Sequence, residues 1–223
     1  MSKKQALLLE EREQAARKVL EKYHFAAEDE ELLQSVARQL WQAAEGKAGF
    51  WFAPQRREGS RQELVAAMTL GAEVDRLQEA YSGSGRLLEC YMAEMLAGEL
   101  LMRGYAAFER CVLRQTGRYV ADYRFFGGED CPLEGIREAL CELGTGELRC
   151  NSAFCLIPKK SVVFLAGLTE QEKLRCAGVC AGCARRDCPN RSGGKSAEPV
   201  RWPDLAGRPL PYGYMRILEK RGG

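Results

Sequence analysis

The sequence predicts a chain of mixed helices and strands, with a helical N-terminal part and a cysteine-rich C-terminal loop. Three observations lead there. Long Leu- and Ala-rich stretches carry apolar residues at helical spacing. Short apolar runs bounded by Gly, such as Leu64–Gly71 and Ser161–Ala166 before Gly167, read as strands. Four cysteines, Cys176, Cys180, Cys183 and Cys188, fall within thirteen residues, and Pro189 follows the last.

The elements follow in order. Lys4 to Leu20 is rich in Glu, Gln, Ala, Leu and Lys and reads as helix. Glu30 to Ala44 places Leu32, Leu33, Val36, Leu40 and Trp41 at helical spacing, with Asp29 as N-cap. Gly49–Ala53 reads as a strand, and so does Leu64–Gly71. A helix is expected from Ala72 to Ala80, and Ser82-Gly83-Ser84-Gly85 breaks it. Arg86 to Val120 is the core helix, and Gly98 within it is expected to mark close backbone packing. Tyr123–Pro132 reads as a loop around Gly127-Gly128, and Leu133–Cys141 as a short helix. Cys150–Ile157 and Ser161–Ala166 read as strands flanking Pro158-Lys159-Lys160, with a brief helix around Gln171 beyond them.

Composition narrows the function. The 223 residues are 46% hydrophobic and 29% charged, with a net charge of +2. Such a balance supplies no bulk attraction to nucleic acid. No apolar run approaches the roughly 20 residues of a membrane span, and no signal peptide is visible. The cytoplasm is the expected compartment, and there clustered thiols read as metal ligands or redox groups. Walker and dinucleotide fingerprints are absent, and the one histidine, His24, anchors no catalytic set.

The gaps in the cysteine run are three, two and four residues. Bacterial iron–sulfur runs use gaps of two, two and three, also with Pro after the last cysteine. Only one Cys-x-x-Cys knuckle occurs, Cys180 to Cys183, whereas a zinc ribbon pairs two. A 4Fe-4S cluster on Cys176, Cys180, Cys183 and Cys188 is the expectation, with zinc as the alternative. Cys176 is the weakest of the four expected ligands; Cys180, Cys183 and Cys188 are the expected constant core, with the fourth ligand from Cys176, another cysteine or none.

Three further segments make an order with this run. They are Met68-Thr69-Leu70-Gly71-Ala72-Glu73-Val74-Asp75, Arg124-Phe125-Phe126-Gly127-Gly128-Glu129-Asp130-Cys131-Pro132-Leu133, and Leu156-Ile157-Pro158-Lys159-Lys160-Ser161-Val162-Val163. Together they resemble the activation (reactivation) domain of cobalamin-dependent methionine synthase, in its short stand-alone form with a C-terminal cysteine cluster. The resemblance covers roughly Val19 to Arg191. It implies an α+β fold with a curved, mainly antiparallel sheet and flanking helices, and three parts: residues 1–170 as the activation-domain-like domain, 171–191 as the cysteine appendage, and 192–223 as a Pro/Gly/Arg-rich tail.

The resemblance also implies a function. The family holds S-adenosylmethionine over a cobalamin domain, where cob(II)alamin is reduced by one electron and methylated. Cobalamin would come with the partner, a methionine synthase or related corrinoid protein, and an electron donor is a possible second partner. Neither nucleic acid nor membrane is expected. Arg124, Gly127, Gly128, Glu99 and Lys160 are the expected ligand-binding residues, Arg124 as the grip on a carboxylate. One departure stands out. The family's loop carries a Tyr where this chain has Gly128, and the interval from Arg124 to Cys131-Pro132 is one residue short. The alternative expectation is therefore a non-catalytic corrinoid-protein docking module with a structural metal and no S-adenosylmethionine.

Overall fold

The long helix and a five-stranded sheet organise the chain. A computed structural model describes residues 3–6, 12–55, 62–128 and 131–180. In chain order the elements are β1 (Gln5–Ala6), α1 (Arg12–Lys22), α2 (Glu30–Ala44), β2 (Gly49–Gln55), β3 (Glu63–Thr69), α3 (Ala72–Gly83), α4 (Leu87–Thr116), β4 (Tyr119–Phe125), α5 (Gly135–Leu143), β5 (Arg149–Cys150), β6 (Leu156–Ile157) and β7 (Ser161–Thr169). The main sheet has the order β1-β2-β3-β7-β4, and every pairing in it is antiparallel. The expected α+β class with flanking helices is what the chain forms. Among the described residues no helix is long and apolar enough to cross a membrane.

Strand β3 is buried at every position. Its alternate side chains divide between two cores. Leu64, Ala66 and Met68 join Tyr105, Phe108 and Val112 of α4 on one face. Val65 and Ala67 join Ile136, Leu140 and Leu143 of α5 on the other. A third core lies among α1, α2, α3 and the first half of α4, built on Leu33, Leu40, Trp41, Met92 and Leu96. The helix α4 thus serves two cores along its length.

Several local expectations are corrected. Gln5–Ala6 is not helical; it pairs with Phe50 and Gly49 as a short strand, and the described helix α1 covers Arg12–Lys22. Lys4 secures this edge, donating to the Lys47 carbonyl at 2.9 Å and to Glu147 Oε2 at 2.5 Å. Long-range pairing here outweighs a helix-favouring composition. Asp29 makes no side-chain cap bond, because it ends a 3-10 turn, Ala27–Asp29, already in helical conformation.

The helix expected to reach Val120 stops at Thr116. Gly117 takes the left-handed conformation (φ 70°) and donates to the Leu113 carbonyl at 2.9 Å, a glycine cap. Residues 119–125, partly expected as loop, form the edge strand β4. A register shift between Val120 and Asp122 breaks its alternation, so Val120 and Tyr123 enter the same core although three residues apart.

Gly98 is not a close-packing point; a Cβ there would meet nothing within 4 Å. The close approach is at Gly104, where a Cβ would stand 2.2 Å from Met68 Sδ. The strand expected over Cys150–Ile157 is a hairpin of β5 and β6. Its turn is built by Asn151, whose Oδ1 accepts from the amides of Ala153 and Cys155, both at 2.9 Å. The helix expected around Gln171 is a single 3-10 turn, Glu172–Leu174.

Candidate functional site

The three segments singled out in the sequence meet at one end of the sheet. Strand β3 ends at Thr69, directly opposite Ser161, the first residue of β7. Their hydroxyl oxygens are 2.7 Å apart. The Leu70 amide donates to the Lys160 carbonyl at 2.9 Å, and the Gly71 amide to Thr69 Oγ1 at 3.0 Å. Helix α3 starts immediately afterwards. Strand β4 ends at Phe125, opposite Phe164 of β7, so the loop that follows leaves the sheet at this same end.

The turn from Pro158 to Lys160 is stitched to the helices behind it. The Ile157–Pro158 peptide is cis. The Lys159 amide donates to Asp75 Oδ2 at 2.7 Å, and Lys159 Nζ donates to Glu79 Oε1 at 2.8 Å. Lys160 pairs with Glu94 of α4, whose second oxygen accepts from Gln78 at 2.8 Å. Burial acts to raise Glu94. Hydrogen bonds from Lys160 and Gln78, with the Lys160 charge, outweigh it and hold the carboxyl below its usual value.

A cleft of about 210 Å³ opens beside this turn, lined by Lys47, Thr69, Gly71, Glu73, Glu147 and Pro158. Pockets that enclose a drug-sized ligand run from about 300 Å³ upward. The cleft has room for part of such a molecule.

The loop after β4 is a tight turn. The Gly127 amide donates to the Cys131 carbonyl at 2.7 Å, with Gly127 at φ 98°, and the Cys131 amide donates to the Gly128 carbonyl at 3.2 Å. Arg124 lies on the α5 side of the sheet and pairs with Glu63 of β3. Gly167 of β7 stands opposite both Glu63 and Asp122, while Leu165 stands opposite both Val65 and Arg124. With no side chain at Gly167, the guanidinium crosses β7 diagonally. Glu99 belongs elsewhere. It is 3% exposed on α4 and takes Lys18 at 2.5 Å and Lys22 at 3.4 Å from α1.

The expected ligand residues are therefore present but dispersed. Gly127, Gly128 and Lys160 sit at the gathered sheet end. Arg124 and Glu99 each hold an oppositely charged side chain of this chain instead. As placed, they do not fit a shared cradle for an amino-acid-bearing ligand. Sequence reading singled out the segments that carry Thr69, Asp75 and Ser161, but not the bonds by which Thr69, Ser161, Asp75 and Glu94 hold the site together. The signal was faint: polar residues at strand and helix ends that pair only across long sequence separations.

Of the expected metal ligands, Cys183 and Cys188 lie outside the described residues. Cys176 is 9% exposed and belongs to the core between the sheet and α4. Its amide donates to the Val120 carbonyl at 2.8 Å, and its thiol donates to the Gly178 carbonyl at 3.1 Å. Burial pushes this thiol up. Cys180 is half-buried, and beside it burial, aided by the Cys180 charge, raises the Tyr105 phenol. Tyr123 donates to Glu109 Oε1 at 2.8 Å in the same cluster. Among the described residues, no three His, Cys, Asp or Glu side chains converge on a metal position. In donor chemistry, thiolates suit either an iron–sulfur cluster or zinc.

No family model matches the chain, and no curated protein matches it. Among solved structures it is similar to the MetH reactivation domain bound to AdoHcy, with a TM-score of 0.46 and 14% identity. That likeness covers 74% of this chain and 77% of the other.

Proposed function

We propose that the chain is a reactivation module for a cobalamin (corrinoid) methyltransferase such as methionine synthase. In this role it docks on the partner's cobalamin domain and supports reductive methylation of cob(II)alamin with S-adenosylmethionine. One electron and one methyl group enter, and methylcobalamin and S-adenosylhomocysteine leave. The cysteine run carries an iron–sulfur centre, or zinc in the alternative, and an iron–sulfur centre is the electron's entry point. The observation that carries the reading is the gathering of Thr69–Asp75, Gly127-Gly128 and Pro158–Ser161 at one sheet end. Two of these segments are joined by side-chain and backbone bonds, and the third leaves the sheet at the same end.

The Glu63–Arg124 pair favours a second reading, in which the module docks on a corrinoid protein without binding the methyl donor. A ligand carboxylate would have to take the guanidinium from Glu63. Calorimetric titration separates the two. Micromolar binding of S-adenosylmethionine that weakens in Arg124→Lys supports the reactivation role. Complex formation with a cobalamin-loaded corrinoid protein, without any heat from S-adenosylmethionine, supports the docking role. If the chain binds neither, both readings fall.

A further inference from the structure

We infer that Tyr123 and Glu109 form a proton-coupled redox site, which takes up one oxidising equivalent as a phenoxyl radical. The role is independent of the cobalamin reading proposed above. The Tyr123 phenol on β4 donates to Glu109 Oε1 on α4 at 2.8 Å. Glu109 stands one helical turn after Tyr105, so one face of α4 brings both a ring and a carboxylate against β4. Tyr123 is 8% exposed. The rings of Tyr105, Phe108, Phe125 and Phe164 lie 5.3, 6.4, 6.5 and 5.6 Å from its own. This wall of rings shields the phenol from solvent on the core side.

A buried phenol with no base beside it is a poor electron donor, because its proton has nowhere to go and a buried cation radical is costly. Here the proton acceptor is in place. As the phenol loses an electron, its proton crosses to Glu109, leaving a neutral phenoxyl radical and a neutral carboxyl group. The pair passes from one negative charge to none, so oxidation relieves a partly buried charge instead of creating one. The electron goes to a one-electron oxidant of the thiyl or peroxyl class, which becomes a thiolate or a hydroperoxide anion. Cys176 shares the core with Tyr123, so a thiyl radical formed at that sulfur meets an electron donor in the same cluster. A one-electron reductant of the ascorbate class returns the electron, and Glu109 returns the proton. Tyr81 provides the contrast. Its hydroxyl is buried too, but among the described residues it has no hydrogen-bond partner to take a proton.

The test is flash oxidation of the full-length chain by photo-excited tris(bipyridine)ruthenium, with a cobalt(III) ammine as sacrificial electron acceptor. Phenoxyl radical is followed by EPR and visible absorption. Wild-type protein is expected to give a slowly decaying phenoxyl signal, and Tyr81→Phe to keep it. Tyr123→Phe, which leaves the ring in the core, is expected to lose the slow component. Glu109→Gln keeps an oxygen that accepts the hydrogen bond but is no base, and is expected to lower the yield several-fold. A slow signal undiminished in Tyr123→Phe, or no slow signal in the wild type, would overturn the inference. So would an unchanged yield in folded Glu109→Gln protein, since the bond would then be structural only. The Tyr123 and Glu109 variants are independent arms, so one that fails to fold leaves the other to decide.

Discussion

Glu63 on β3 and Arg124 on β4 form an ion pair across the intervening strand β7. Glu63 is 3% exposed, so its charge sits within the α5 side of the sheet. Removing one partner of a buried pair leaves a charge without compensation, a loss on the order of 3 kcal/mol. Arg124→Ala should therefore lower the urea midpoint strongly. The double variant Glu63→Leu/Arg124→Leu should recover most of that loss, since apolar pairs of similar volume replace buried ion pairs well. Equal destabilisation in the single and double variants would show that the pair contributes little.

Two glycines in α4 should respond oppositely to alanine. Gly104 faces Met68, which is fully buried, and an added methyl would collide with its sulfur. Gly104→Ala should destabilise by about 1–3 kcal/mol through overpacking. Gly98 faces open space. Gly98→Ala should stabilise by roughly 0.5–1 kcal/mol through the better helix propensity of Ala. Thermal melts of both proteins check the pair of signs.

Glu99 predicts a pH dependence. Burial acts to raise its pKa, but the hydrogen bonds and charges of Lys18 and Lys22 set it below 4.5. The folded value lies below the unfolded one, so the stabilisation is fully present above about pH 4.5. It is lost as pH falls through the folded value. Glu99→Gln should destabilise at neutral pH by about 1–3 kcal/mol and should flatten the acid limb below pH 4.5. Denaturant midpoints between pH 3 and 7 (an experimental range on the order of the carboxylate titration) would reveal it.

Lys160 offers a functional prediction. It ties the Pro158–Ser161 turn to Glu94. The Lys160 side chain is only 15% exposed, while that of Glu94 is 46% exposed, so the pair is part-screened and Lys160→Ala should cost at most about 1 kcal/mol. Binding to a corrinoid partner should weaken by a larger factor, because the turn loses its fixed position. Unchanged affinity in a binding assay would remove this turn from the docking surface.

Much of the fold was legible because core-facing apolar residues recur with the period of their element. Leu33, Val36, Leu40 and Trp41 on α2 all reach the core from their helical spacing. Strand β3 was readable as a short apolar run because both its faces are covered. The misses have physical causes. A two-residue strand such as Gln5–Ala6 offers no period to detect. In β4 the shift after Val120 places Val120 and Tyr123 on one face, so alternation fails where it would have been sought. For the site, the Thr-Leu-Gly and Pro-Lys-Lys-Ser segments stood out in sequence, and they touch through Thr69 and Ser161. The partners of Arg124 and Glu99 were hidden, since Glu63 and Lys18 lie 61 and 81 residues away along the chain.

The central place of β7 has a consequence for synthesis. Strands β3 and β4 do not pair with each other; β7 joins them, and among the described strands of the sheet it is the last to leave the ribosome. Thr69 must wait for Ser161, a loop closure of 92 residues, before the sheet end exists. Until then a nascent chain can form the α1–α4 helical core, which needs no residue beyond α4. It cannot assemble the surface proposed to meet a partner. A chain truncated before residue 161 should therefore retain helix and lose the proposed recognition, so that competence is coupled to completion of β7.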